Sequence, residues 1–287
     1  MKCVVKMLNN ATCFEKDCIK KSERMNSMSQ QWRLIKQVIR RADVVFEVLD
    51  ARDPMATRTK KVEAYVKKLG KPLILVINKS DLIPRSVAEK WKKVLSREYP
   101  TIYIGARDRL GTRQLWKAVK IAARGKKPVT VAVVGLPNVG KSTIINVLKG
   151  RSSAAGTSPI PGFTTEAQTV RAATWLKVID TPGIVPRLSS EELVFRSALR
   201  PESLEDPLIP AIKLIEKLAS KDPEVFQRTY RVKSREPLKM LEELARRRGL
   251  LLKGGEPNVE EAARILIRDW QKGKLVVYFT PEDYGLT

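Results

Sequence analysis

Short apolar runs separated by amphipathic stretches organise the first and larger part of the chain. The runs Val44–Leu49, Leu73–Ile77, Ile102–Ile104, Val131–Val134, Thr169–Ala172 and Leu176–Ile179 have the length and β-branched content of buried strands. Between them, apolar residues return every three or four positions, which predicts helices near 58–69, 86–97, 112–123 and 142–149. Ahead of the first strand, Trp32, Ile35 and Ile39 share one helical face. Ser86, with Glu89 three residues on, reads as a capping box opening the second of the four helices. Strand and helix alternating at this spacing specify an α/β fold, with a mainly parallel sheet and helices on both faces.

Beyond Pro186 the pattern changes to helices, up to a last apolar stretch at Leu275–Phe279. Ile209–Leu218 is amphipathic, Leu238, Leu241 and Ala245 form a stripe that stops at Gly249, and Asn258 with Glu261 caps a helix that stops at Gly273. Residues 1–28 are polar, lysine-rich and without periodicity. The expected organisation is a basic flexible tail over 1–28, an α/β domain over 29–186 and a small, mostly helical domain over 187–287.

Charge adds a partner class to this picture. The 287 residues carry a net charge of +24, with 55 Lys and Arg against 31 Asp and Glu. Residues 1–128 hold +19 of it, residues 129–186 hold +3 and residues 187–287 hold +2. Heat-adapted surfaces balance lysine with glutamate. This chain does not, so a polyanion such as nucleic acid is implied. Within the last part, residues 228–253 carry nine basic side chains against three acidic ones, and Arg246, Arg247 and Arg248 are consecutive at a helix end. Three adjacent arginines cannot all face the helix carbonyls, so they are candidate phosphate contacts. Cys3, Cys13 and Cys18 all lie in the tail and the chain has no histidine. Reduced thiols are therefore preferred over a zinc site, which would need a carboxylate or a second chain. No apolar run spans a membrane and the first residues lack a secretory pattern, so a cytoplasmic protein is expected.

Three motifs carry chemistry. Gly135-Leu136-Pro137-Asn138-Val139-Gly140-Lys141-Ser142 follows an apolar strand and opens a helix. Its glycines let the backbone N–H groups of Val139, Gly140, Lys141, Ser142 and Thr143 close around phosphates at the helix N-terminus. Lys141 would neutralise β- and γ-phosphates, and the Ser142 hydroxyl would bind Mg²⁺. Asn78-Lys79-Ser80-Asp81 ends the second predicted strand. Asp81 would accept from guanine N1–H and the 2-amino group and so reject adenine. Asn78 would hold the base edge and the phosphate loop, and the Lys79 stem would cover the base. Gly105-Ala106, after the next strand, is placed to offer the Ala106 N–H to guanine O6. Asp180-Thr181-Pro182-Gly183 ends the last strand, with Asp180 toward Mg²⁺ through water and the Gly183 N–H toward the γ-phosphate. Pro161-Gly162-Phe163-Thr164 fits a first switch whose threonine completes the Mg²⁺ shell. Thr164 is favoured over Thr165 from its place after Pro-Gly-x.

An ordinary GTPase runs phosphate loop, switches, then base-recognition motif. Here the last part stands first, which is a circular permutation of a Ras-like P-loop GTPase domain. With Asp50-Ala51-Arg52-Asp53-Pro54 ahead of the motifs, and Gly254-Gly255-Glu256 and Asp269-Trp270-Gln271-Lys272-Gly273-Lys274 behind them, the chain resembles the circularly permuted ribosome-assembly GTPases, the YlqF/RbgA and nucleolar GTP-binding group. The resemblance covers roughly residues 30–280. It implies GTP hydrolysis with GTP/GDP and Mg²⁺, contact with rRNA on a maturing large ribosomal subunit, a monomer, and a helical domain placed after the second switch. It also links Asn138 to potassium, a role that competes with an ordinary turn asparagine. Arg52 is open between an ion-paired turn and a direct role.

Two departures shape the expected mechanism. The residue after Asp-x-x-Gly is Ile184, which has no polar group to orient water, and no histidine exists to act as base. Catalysis would then rest on positioning and charge, through Mg²⁺, Lys141, Asn138 with K⁺, Thr164 and the Gly183 N–H, with slow intrinsic turnover. The competing functions are a GTP-regulated RNA-binding module with incidental hydrolysis and a small-subunit or tRNA-related GTPase. The latter predicts an appended β-barrel rather than helices.

Overall fold

The computed structural model describes residues 30–150, 168–181, 183–186 and 188–287. Helix α1 covers residues 30–41. It is followed by β1 (Val44–Asp50), α2 (Pro54–Thr57), α3 (Lys60–Lys68), β2 (Leu73–Asn78), α4 (Arg85–Leu95), β3 (Thr101–Tyr103) and α5 (Arg113–Ala123). Then come β4 (Val129–Val134), α6 (Lys141–Lys149), β5 (Gln168–Ala173) and β6 (Leu176–Asp180). Among the described residues these strands form one six-stranded sheet in the order β3-β2-β1-β4-β6-β5. Only the β5–β6 pairing in it is antiparallel.

Alternation along the central strands sends side chains to two apolar layers. Val45, Leu49, Leu75, Ile77, Ala132 and Val134 pack with Ile35 and Ile39 of α1, Val62 and Val66 of α3, and Trp91 and Leu95 of α4. Val44, Phe46, Val48, Val76, Val131 and Val133 pack with Leu115 and Val119 of α5 and Ile144 and Leu148 of α6. The capping box expected at Ser86 is absent. Helix α4 begins at Arg85, directly after Pro84, without a side-chain cap. Pro84 already has φ −58, which pre-sets the chain for the helix. Glu89 instead accepts from Arg85 Nε at 2.9 Å and Tyr103 OH at 3.3 Å.

Helices α7 (Ser190–Phe195), α8 (Leu208–Lys221), α9 (Val225–Tyr230), α10 (Pro237–Arg247) and α11 (Val259–Lys272) share a separate core that includes Phe195, Leu214, Phe226, Leu241, Leu266 and Trp270. The Asn258 side chain caps α11 by accepting from Glu261 N at 3.0 Å. The apolar stretch 275–279 forms no helix or strand. It leads the chain back onto the α/β unit, where Phe279 N donates to Arg52 O at 2.7 Å, Trp91 Nε1 donates to Phe279 O at 2.8 Å, and Tyr278 and Leu286 pack against the α1/α3/α4 layer. Among the described residues no helix is long and apolar enough to cross a membrane.

Candidate nucleotide-binding site

Parallel pairing brings the carboxyl ends of β1, β2, β4 and β6 to one edge, where open α/β sheets hold ligands. Asp50 is opposite Asn78 and Val133 is opposite Asp180 in register. Motifs far apart in the chain thereby become neighbours. Asn78 is buried and makes the join: its Nδ2 donates to Val139 O in the Gly135–Ser142 loop at 2.9 Å, and its Oδ1 accepts from Ala106 N at 3.1 Å. The Ala106 N–H expected to face a base is thus engaged by Asn78. A Cβ on Gly105 would lie 2.9 Å from Asp81 Oδ1, so the exposed Asp81 carboxylate stands directly against this loop. Lys79 adopts the left-handed conformation (φ 64), and its Nζ donates to Asp50 Oδ2 at 2.9 Å.

The loop over 135–142 is shaped for an anion. Gly140 has φ 100, and a Cβ there would come within 2.1 Å of Asn78 Nδ2, so only glycine permits the contact. It leads into α6, whose N-terminus has no side-chain cap, leaving first-turn N–H groups for a ligand. Ser142 and Thr143 on that turn are exposed and Val139 beneath is buried. Lys141 is buried and its Nζ donates to Leu136 O at 2.9 Å. Burial pulls its pKa down to about 8, and the nearby Asp180 carboxylate works against that shift. An arriving phosphate would add to the countercharge that Asp180 supplies to the ammonium.

The segment after β6 closes against the same loop. Thr181 Oγ1 donates to Val133 O at 2.7 Å, and Ile184 N donates to Gly135 O at 3.1 Å. A Cβ on Gly183 would lie 2.7 Å from Pro137 Cγ. The Ile184 side chain is buried in the α1/α3/α4 layer. The Asn138 amide donates through Nδ2 to Ser197 O at 2.9 Å, which ties the loop to the chain after α7. Thr164, with Pro161, Gly162, Phe163 and Thr165, lies outside the described residues, as do Pro182 and the cysteines of the tail. Ser142 on the exposed first turn of α6 and Asp180 at the end of β6 are oxygen donors of the kind that fits a hard divalent cation held with a phosphate. Arg246, Arg247 and Arg248 are exposed on α10 and the residue after it. None of them pairs with this constellation, and Arg248 Nη2 stands 3.9 Å from Asp269 Oδ2.

Three participants escaped sequence reasoning. Ser197 has φ 57, and nothing in the sequence marks that carbonyl as a partner of the phosphate loop. Asp50 and Gln271 also meet Lys79. The motif-like runs around them were visible but their meeting was not.

Comparison with known proteins agrees with this geometry. A family profile described as "50S ribosome-binding GTPase" matches residues 130–242. An uncharacterised GTP-binding protein of Methanocaldococcus jannaschii is 38% identical over 249 residues, covering 86% of this chain and 66% of that protein. Nucleolar GTP-binding protein 2 of Neurospora crassa is 38% identical over 87% of this chain and 41% of its own length. The guanine nucleotide-binding protein-like NSN1 of Arabidopsis thaliana is 37% identical over 90% of this chain and 50% of its own. The chain therefore spans only two fifths to two thirds of these relatives. The crystal structure of GNP-bound YlqF from T. maritima superposes with a TM-score of 0.62 at 28% identity, covering 88% of this chain and 99% of that one.

Proposed function

The chain belongs to the circularly permuted GTPases of the YlqF and nucleolar GTP-binding group, and from that premise we propose that it is a GTP-hydrolysing switch that binds rRNA and assists maturation of the large ribosomal subunit. The observation that carries the nucleotide half is the Asn78 side chain, which bridges the base-recognition turn and the phosphate loop although 61 positions separate it from Val139. That contact rebuilds in space the order that the permutation removed from the sequence.

In this reading Asp81 accepts from the Watson–Crick edge of guanine, with Gly105 and Ala106 lining the same wall. The Ala106 N–H shared with Asn78 sits at the base end. Lys141 turns its ammonium from the Leu136 carbonyl to the β- and γ-phosphates, and the backbone N–H groups of Val139, Gly140, Lys141, Ser142 and Thr143 hold the phosphate oxygens. Ser142 and Asp180, with Thr164, would hold Mg²⁺, which neutralises charge on the transferring phosphoryl group. Gly183 lies against Pro137, so its N–H can reach the γ-phosphate only while that packing is kept. Ile184 is directed into the core and leaves the attacking water without a side-chain guide. Turnover is then expected to be slow and to depend on charge placement, and Asn138, whose amide nitrogen is held by the Ser197 carbonyl, would offer its carboxamide oxygen to K⁺. The rRNA half is supported by the +19 concentrated in residues 1–128 and by the exposed arginines at the end of α10. The protein acts as a monomer.

Isothermal calorimetry with GTP, ATP and XTP tests the guanine assignment. The wild type is expected to prefer GTP over ATP by about three orders of magnitude, as a site built to hydrogen-bond a ligand N–H does against an analogue lacking it. Asp81→Asn should transfer the preference to XTP. Comparable GTP and ATP affinities would refute the reading.

A further inference from the structure

The run Asp50-Ala51-Arg52-Asp53-Pro54 is the motif that base and phosphate recognition leave unused. Asp50 ends β1 and is nearly buried. Its Oδ1 accepts from Arg52 N and Arg52 Nε, both at 3.0 Å, and its Oδ2 accepts from Arg52 Nη2 at 2.8 Å and from Lys79 Nζ at 2.9 Å. Arg52, 1% exposed, stacks its guanidinium 3.9 Å from the Trp270 ring centroid and donates through Nη1 to the Trp270 carbonyl. The carbonyl of the next residue, Gln271, stands 3.5 Å from Lys79 Nζ, and the backbone carbonyl of Arg52 accepts from Phe279. One carboxylate oxygen therefore holds both the lysine of the base-recognition turn and the arginine that grips the end of α11.

Stability alone does not call for such a cluster, since buried ion pairs are often matched or exceeded by apolar side chains of equal volume. Its geometry offers something apolar packing cannot. Hydrogen-bonded charges at low dielectric adopt discrete arrangements, and here the two cations share an acceptor. A ligand that fixes the Lys79 stem fixes the ammonium on Asp50 Oδ2, and with it the orientation of the carboxylate that clamps Arg52.

We propose that Asp50, Arg52 and Lys79 form a relay that ties occupancy of the guanine site to the seating of α11 and the C-terminal return on the nucleotide edge, with Arg52 as a positioning residue. The relay rests on the guanine reading of Asn78–Asp81 given above. By linkage, whatever factor nucleotide adds to the seating of α11, seating adds to nucleotide affinity.

Hydrogen exchange across residues 259–287 of the full chain, with and without a non-hydrolysable GTP analogue, tests the relay. Fluorescent-nucleotide titration runs beside it. In the wild type, nucleotide should slow exchange there by roughly tenfold. Arg52→Met keeps the volume and leaves Asp50 paired with Lys79. It should still bind guanine nucleotide but lose the nucleotide-dependent part of the protection. Arg52→Lys keeps the charge without the fork and should lose most of it, giving the same reading should the methionine variant not fold. A purely structural arginine would speed exchange equally with and without nucleotide and leave the ratio at its wild-type value, which overturns the relay while the guanine reading stands. Wild-type binding with no change in exchange overturns it too. Absence of guanine-nucleotide binding in the wild type removes both.

Discussion

Glu47 lies in the middle of β1 with no exposed surface, flanked in register by Leu75 and Val134. Its Oε1 accepts from Thr59 N at 2.6 Å, and its Oε2 has no hydrogen-bond partner among the described residues. Burial first, and the Glu63 carboxylate second, push its pKa up from 4.5 to about 8, against the pull of Arg58 and Lys60. The folded state therefore keeps a proton that the unfolded chain releases across this interval, so the stability this site permits is present below 4.5 and is lost as pH rises to about 8. Glu47→Gln mimics the protonated form. It should match the wild type in urea unfolding near about pH 4 and exceed it by roughly 1–4 kcal/mol near about pH 9. A wild type that stays as stable as the variant at the alkaline end would show that Glu47 is ionised at no cost. Legibility in the sequence divides along the same line. The readings of Lys141, Asn78, Asp81 and Gly183 rest on local spacing, which the sequence carries directly. The Glu47 environment, the Ser197 carbonyl and the engaged Ala106 N–H depend on chain segments meeting from afar, for which no local pattern exists.

At the scale of elements, strand positions were legible because a buried parallel sheet requires apolar runs bounded by turns. Each of the six expected runs lies within two residues of the strand that forms. The start of α4 was misread because a Ser-x-x-Glu spacing cannot distinguish a cap from two positions inside a helix, and Pro84 decides which it is. The phosphate loop and the segment after β6 are likewise joined by approaches only glycine allows, and the two glycines should fail differently. Gly140→Ala drives a Cβ toward Asn78 Nδ2, against a positive φ. Since Asn78 also holds Val139 and Ala106, phosphate and base walls are lost together, and GTP and GDP affinities should both fall by about a hundredfold or more. Gly183→Ala collides with Pro137 instead. It should weaken a GTP analogue and turnover by roughly tenfold while GDP binding changes little, because only the γ-phosphate contact is displaced. Titration of both nucleotides against both variants checks this, and an equal loss of GTP and GDP in Gly183→Ala would place that segment away from the γ-phosphate.

At the scale of the whole molecule, the helical layer is fastened to the nucleotide edge at several separate points. Asn138 meets Ser197, Arg196 Nη1 donates to Ala56 O at 2.8 Å, Arg52 meets Trp270, and Tyr284 OH donates to Asp53 at 2.7 Å. In the proposed reading, a layer held through the phosphate loop and the base-recognition turn would respond to what they bind wherever the loop shifts to close around phosphates. Arg246 and Arg247 are exposed on this layer, with the basic side chains of residues 30–128 on the other unit. Under the proposed rRNA-binding role, a polyanion spanning both units would be gripped well only when their relative placement is right. Co-sedimentation with large ribosomal subunits should accordingly be stronger with a GTP analogue than with GDP, and should fall steeply with salt. Reversing Arg246 and Arg247 to Glu should flatten the logarithmic salt dependence by roughly one unit for each phosphate that is no longer neutralised. It should also remove most of the nucleotide dependence while GTP affinity stays at its wild-type value. The two outcomes separate two claims. Equal sedimentation in GTP and GDP states breaks the link between site and layer, whereas unchanged sedimentation after charge reversal leaves the link intact and moves the RNA-binding surface to the basic first half of the chain.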